Sequence, residues 1–187
     1  MEIEIKVKIE NTANLLKLLE AEGTHEYTHH QVDEYFNAPH RDFTATKPIE
    51  EWLRLRDSDG HYSINYKKWH YNNEGISNHA DEFETKTESI GDLRKLFAAL
   101  DFTPLITVDK TRTAYNYKEY EIAFDAVVGL GNFVEVEYKA NTDAVDPKEI
   151  TNGMMAFLQG LECGTIERSF KGYPYMLLEQ KGLIAKE

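Results

Sequence analysis

At five places in the chain, charged residues recur two positions apart inside runs that otherwise alternate with apolar residues. Successive side chains of a strand point to opposite faces, so a spacing of two gathers each charged set on one face. Glu2, Glu4 and Lys6 form one set, Arg54 and Arg56 a second, and Glu82, Glu84 and Lys86 a third. Lys110 with Arg112, and Glu135 with Glu137 and Lys139, complete the series. The residues between them, such as Ile3, Ile5, Leu53, Leu55, Val134 and Val136, make the other face apolar. A chain patterned this way must cover one face of its sheet with apolar partners and keep the other face wet.

The partners are legible too. Asn11 or Thr12 caps a helix that runs to about Glu22, with Leu15, Leu16, Leu18 and Leu19 as its apolar stripe and Gly23 as its stop. Ser89 caps a second helix, in which Ile90, Leu93, Leu96, Phe97 and Leu100 fall at helical spacing. Asp146, Pro147 and Glu149 supply an N-cap, a first-turn proline and an acid three residues past the cap, so a third helix starts there and is expected to end near Gly164. A short helix is expected over 173–181. The pattern predicts strands over 2–9, 25–37, 50–58, 61–69, 80–87, 105–117, 120–128 and 133–140. Turns fall at Ser58-Asp59-Gly60, Lys118-Glu119 and Gly129-Leu130-Gly131-Asn132. With 187 residues and no linker or repeat, the expectation is one domain over 1–187.

Two architectures satisfy this pattern. One is an open antiparallel sheet with helices on one side and a solvated charged face on the other. The other closes the strands into a barrel, which removes edge strands and gathers the charges around a wet interior. Segregation of sign favours the barrel. Glu2 and Glu4, like Glu135 and Glu137, stand about 7 Å apart along their strand. Converging carboxylates raise one another's pKa unless a cation intervenes. An all-oxygen carboxylate set suits Mg²⁺ or Mn²⁺, ions that bind substrate phosphates at the same time. Arg54, Arg56, Lys67, Lys110 and Arg112 offer the forks and point charges that phosphate oxygens need. Acids for metal and bases for phosphate together indicate a metal–polyphosphate complex.

Charge and composition remove other classes. A net charge of −12 repels phosphate backbones, so duplex DNA or RNA is not the expected partner. No run approaches the roughly 18 apolar residues of a membrane span. Met1 leads straight into Glu-Ile-Glu, so a cytoplasmic protein with no membrane partner is expected. Cys163 has no second cysteine to pair with and falls where a helix is expected to end. The seven histidines lack metal-ligand spacing and are read as surface and loop residues. Gly129-Leu130-Gly131 precedes a strand, which makes it a turn and not a phosphate loop.

Glu2-Ile3-Glu4-Ile5-Lys6 opens the chain in an ExExK pattern. Gln31-Val32-Asp33-Glu34-Tyr35-Phe36, Arg41-Asp42-Phe43 and Leu53-Arg54-Leu55-Arg56 follow in order. Lys67, Glu82-Phe83-Glu84 and Lys110-Thr111-Arg112 come next, then Asp125 ahead of the run from Gly129 to Glu137. On these residues, over nearly the whole chain, the sequence resembles the CYTH or triphosphate tunnel metalloenzymes, and within them the class IV adenylyl cyclase branch. That family also includes thiamine triphosphatases.

The resemblance implies an α+β fold in which eight antiparallel strands close into a charged tunnel flanked by helices. It implies Glu2, Glu4, Asp125, Glu135 and Glu137 as ligands of Mg²⁺ or Mn²⁺. Lys6, Arg54, Arg56, Lys67, Lys110 and Arg112 would grip the triphosphate, with Glu82 and Glu84 beside it and Glu2, Glu4, Lys6, Glu135 and Glu137 as the catalytic set. Lys6 and Asp125 enter these sets through the resemblance alone. The implied reaction converts ATP to cyclic AMP and pyrophosphate. One alternative is hydrolysis of inorganic triphosphate, thiamine triphosphate or a nucleoside triphosphate. Another is a non-catalytic module that binds polyphosphate or nucleotide, against which the retained acids argue. Members often form homodimers. The sequence departs from the branch at Ala80, where an arginine is common, at Phe170 after Ser169, and in the long stretch from Trp69 to His79.

Overall fold

Residues 2–71, 77–141 and 145–185 are described by the structure, a computed structural model. Alternation and tight turns make the strands. Asp59 and Gly60 both take positive φ, 49° and 83°, the geometry of a two-residue hairpin turn, and they join β3 (Glu51–Ser58) to β4 (His61–Tyr71). The other strands are β1 (Glu4–Ile9), β2 (Thr24–Asn37), β5 (Ser77–Thr87), β6 (Thr103–Tyr117), β7 (Tyr120–Val127), β8 (Gly131–Tyr138) and β9 (Ile166–Ser169). All belong to one antiparallel sheet in the order β5-β4-β3-β2-β6-β7-β8-β1-β9. The middle of the predicted Trp69 to His79 stretch, residues 72–76, lies outside the described residues.

Nine strands replace the eight expected. Ile166–Ser169 is too short to show alternation and becomes a strand only by pairing with β1, where Lys6 faces Ser169 and Ile9 faces Ile166. That pairing also shortens the third helix, which ends at Gln159 and not near Gly164. Glu162 and Gly164 take positive φ as the chain turns back towards β1. Cys163 is buried in that turn, with its carbonyl accepting from Asn11 N–H. The paired ladder runs from β5 to β9. Among the described residues an isolated bridge links β5 to the segment ahead of β1, with Glu2 and Ala80 exchanging backbone hydrogen bonds of 3.1 Å each.

The apolar faces are covered as the pattern requires. Helices α1 (Ala13–Glu22) and α3 (Pro147–Gln159) bury Leu15, Leu19, Met154 and Leu158 against Ile3, Ile5, Val7, Ile122, Val134 and Val136. Each such leucine contributes about 1.5–3 kcal/mol on burial. Gly23 ends α1 because a side chain there would meet the Leu19 carbonyl at 2.8 Å. Helix α2 (Ile90–Ala99), capped by Ser89 Oγ accepting from Asp92 N–H, packs Ile90 and Phe97 on Phe36 and Leu55.

The last helix, α4 (Tyr173–Gln180), sits on the opposite face. Its Tyr173, Tyr175, Leu177 and Leu178 pack with Tyr35, Trp52, Ile106, Val108, Val127 and Phe133. Those strand residues share parity with Asp33, Arg54, Lys110, Asp125 and Glu135, so the charged face has an apolar section that α4 seals.

Candidate functional site

The charged face lines one cavity of about 790 Å³, its open mouth included. The space inside it open to water amounts to about 100 Å³, below the range of ligand-sized pockets. Lys6 from β1, Arg54 and Arg56 from β3, Lys67 from β4, and Lys110 and Arg112 from β6 all reach it. Glu2, Glu4, Glu82, Glu135 and Glu137 reach it as well. These residues converge because each holds an alternate position on its strand and the register keeps the positions level: Glu4 faces Glu137 and Lys6 faces Glu135.

On β6, β7 and β8 the charges form a closed network. Asp125 is 1% exposed and accepts from Arg112 at 2.7 and 2.5 Å, from Lys110 at 3.2 Å and from the Tyr173 hydroxyl at 2.8 Å. Arg112 also donates to Glu135, whose other oxygen lies 3.2 Å from Lys6 Nζ. Burial alone would raise the Glu135 pKa, but Arg112 foremost, then Lys6 and Lys110, hold it well below the usual carboxylate range. Lys110 is pushed down to about 7, by burial first and then by Arg112, against the pull of Asp125.

The balance differs around β1, β4 and β5. Lys67 Nζ lies 2.5 Å from Glu2 and 3.4 Å from Glu4. Burial pushes Glu2 well above the usual range; Lys67 opposes that shift, while Glu4 and Glu82 add to it. Glu82 is drawn down to about 2, because Lys67, a hydrogen bond with Glu2, and Arg54 together outweigh its burial. Glu137 is likewise raised, by burial and by Glu4 and Glu121, although Lys139 stands 3.0 Å away.

On β2 and β3, Asp33 is 2% exposed and takes both Arg56 donors, at 2.6 and 2.7 Å. Arg56 and Arg54 hold its carboxyl far below the usual range despite burial. Arg54 is held less tightly. Its nearest carboxylates stand at 3.6 to 3.9 Å, and its buried Nε has no hydrogen-bond partner among the described residues.

Most of the residues singled out from sequence meet at this cavity, with two exceptions. Glu84 does not line it; its side chain is 42% exposed and 3.9 Å from Arg54. Asp125 does not line it and meets it through the Arg112, Lys110 and Tyr173 side chains that donate to it. Asp33, Tyr35, Asn65, Glu121 and Tyr173 line it without having been assigned. Asp33 carried a signal, since it pairs with Arg56 in register and shares its face. Tyr173 carried none, because the docking of α4 is not written in any strand pattern.

The donor set fits a hard divalent cation in its chemistry: every candidate ligand is a carboxylate, and Glu2 and Glu137, raised by burial and acidic neighbours, would gain from a positive charge. Among the described residues, no three such side chains converge on one point as they stand. No helix among the described residues is long and apolar enough to cross a membrane.

A model of the CYTH domain matches residues 1–171. A protein of Methanocaldococcus jannaschii named "Putative adenylate cyclase" is 33% identical over 184 residues, which cover 98% of this chain and 99% of that one. A solved structure from Pyrococcus horikoshii superposes with a TM-score of 0.76 at 24% identity, covering 96% of this chain and 99% of that one. A second, from a Hippeastrum "putative adenylyl cyclase" said to reveal a dominant triphosphatase activity, has a TM-score of 0.64 at 20% identity and covers 97% and 96%. At such identities the two structures speak for the fold alone.

Proposed function

The chain belongs to the CYTH family, and from that premise we propose that it is a divalent-metal-dependent enzyme that converts ATP to cyclic AMP and pyrophosphate. The observation that carries this reading is a set of six bases turned into one cavity, among them Arg54, whose nearest carboxylates stand at 3.6 to 3.9 Å. A guanidinium fork with no bidentate acceptor of its own suits a phosphate group.

In this reading Arg54 and Arg56 grip phosphate oxygens from β3, and Lys6, Lys67, Lys110 and Arg112 do so from the facing strands. Asp33 fixes the Arg56 fork and Asp125 the Arg112 fork. Donors held in this way need no reorganisation when charge develops on the leaving pyrophosphate. The ribose 3′-hydroxyl attacks the α-phosphorus and gives up its proton to solvent, the bond to the bridging oxygen breaks, and pyrophosphate departs. Glu2, Glu4, Glu135 and Glu137 would hold Mg²⁺ or Mn²⁺, which when bound neutralises triphosphate oxygens and polarises the attacking hydroxyl. Asp125 is assigned here to holding Arg112 and Lys110.

We also infer that the sheet closes into a tunnel around the charged section. The paired backbone hydrogen bonds between Glu2 and Ala80 support this, as does α3, which touches both β1 and β5. Ala80 is fully buried at the bridge, where an arginine side chain would find no room without rearrangement.

The test is incubation of the purified protein with ATP, inorganic triphosphate and thiamine triphosphate, each with Mg²⁺, Mn²⁺ or a chelator. Cyclic AMP with pyrophosphate, lost on chelation, is expected. Orthophosphate with no cyclic product would make the protein a triphosphatase. Metal-dependent binding without any product would sink the enzyme reading in favour of a binding module.

A further inference from the structure

Tyr173 opens α4, the helix that seals the apolar section, yet its ring reaches into the charged one. The Lys6 ammonium lies 4.1 Å from its ring centroid and the Lys110 ammonium 5.1 Å. Its hydroxyl donates to Asp125 Oδ2 at 2.8 Å, and Phe133 packs edge-on at 5.1 Å. Tyr173 is 5% exposed. Burial first, then Glu135 and Asp125, keep its hydroxyl far above the ordinary tyrosine range, so it stays a donor.

Lys6 and Lys110 come from strands that are not neighbours, since β7 and β8 separate β6 from β1. No strand pairing brings their ammonium groups together, and two cations repel. The electron-rich face of an aromatic ring attracts both. Resting on the triphosphate reading above, we propose that Tyr173 is a positioning residue whose ring, pinned through its hydroxyl to Asp125, presents the Lys6 and Lys110 ammonium groups to one anion. Helix α4 then belongs to the binding site as well as to the core. The hydroxyl orients the ring, and the ring face holds the lysines.

Calorimetric titration with inorganic triphosphate in Mg²⁺ tests this on the wild type, Tyr173→Phe, Tyr173→Leu and Tyr173→pentafluorophenylalanine. The last keeps the ring's size and reverses the sign of its face. Tyr173→Phe, which loses the orienting hydroxyl and keeps the ring face, should weaken binding about threefold, and the leucine and pentafluoro variants about tenfold. In turnover the loss should appear in kcat/KM. Equal affinity in Tyr173→Phe and the pentafluoro variant overturns the proposal, whether or not Tyr173→Leu folds. A wild-type protein that binds no inorganic triphosphate defeats the functional reading itself and the proposal with it. The two failures are thereby distinct.

Discussion

The cavity wall built from β6, β7 and β8 and the wall built from β1, β4 and β5 use the same residue types and reach opposite electrostatic outcomes. Around Asp125 and Glu135, two carboxylates share Arg112, Lys110 and Lys6, and both are held below their ordinary range by that cationic surplus. Around Glu2, Glu4 and Glu82, three carboxylates share Lys67, with Arg54 at 3.6 Å from Glu82, and burial leaves Glu2 raised. A carboxylate taken from water is cheap to keep ionised only where donors outnumber it. The Asp125–Glu135 network is therefore neutralised within itself, while Glu2 beside Lys67 and Glu137 on β8 are carboxyls that a cation would relieve.

The contrast can be broken most forcefully at Asp125. Asp125→Ala strands Arg112 and Lys110 in a buried site, and a loss of about 3–5 kcal/mol is expected by denaturant titration. A loss below about 1 kcal/mol would mean that the network is not structural. Glu135→Gln should leave the fold largely intact while turnover of the triphosphate substrate falls about a hundredfold or more. Unchanged turnover would remove Glu135 from the site.

The pH dependence sharpens the same comparison. Lys110 titrates near about 7 in the folded chain, against about 10.4 when unfolded. The unfolded state binds more protons across that window, so stability should rise with pH from about 7 to about 10.4. Lys110→Met should remove most of this rise between pH 7 and pH 9.5, and a rise of the same size in the variant would refute the depressed lysine. The smallest effect is expected at Glu2. A raised carboxyl binds more protons folded than unfolded, so its stability contribution is present at low pH and declines as pH climbs past about 4.3 towards the folded pKa. Glu2→Gln should remove that decline and change stability at pH 7 by less than about 1 kcal/mol, because Lys67 keeps Glu4 as a partner. A large loss at pH 7 would show that Glu2 is ionised and paired.

Alternation alone determined which residues share the charged face, although Glu84, Lys86 and Lys139 share it without lining the cavity. A period of two is fixed by the strand itself, so Glu2, Glu4, Arg54, Arg56, Lys110, Arg112, Glu135 and Glu137 could be assigned to one face before any pairing was known. The stripes of α1, α2 and α3 were legible for a similar reason, since Leu15, Phe97 and Met154 recur with the helical period and end up buried on the opposite face. Asp33 was assigned neither face nor role, because the register that sets it opposite Arg56 belongs to the pairing of two strands. Only the tertiary structure decided the rest. Ile166–Ser169 has no strand pattern until β1 offers it an edge, and Tyr173 has no site until α4 docks on Ile106, Val108 and Val127. The sign of each pKa shift also belongs there, since Glu2 and Glu135 are the same side chain on equivalent strand faces. They differ because burial and the number of cations within reach are set by strands distant in sequence.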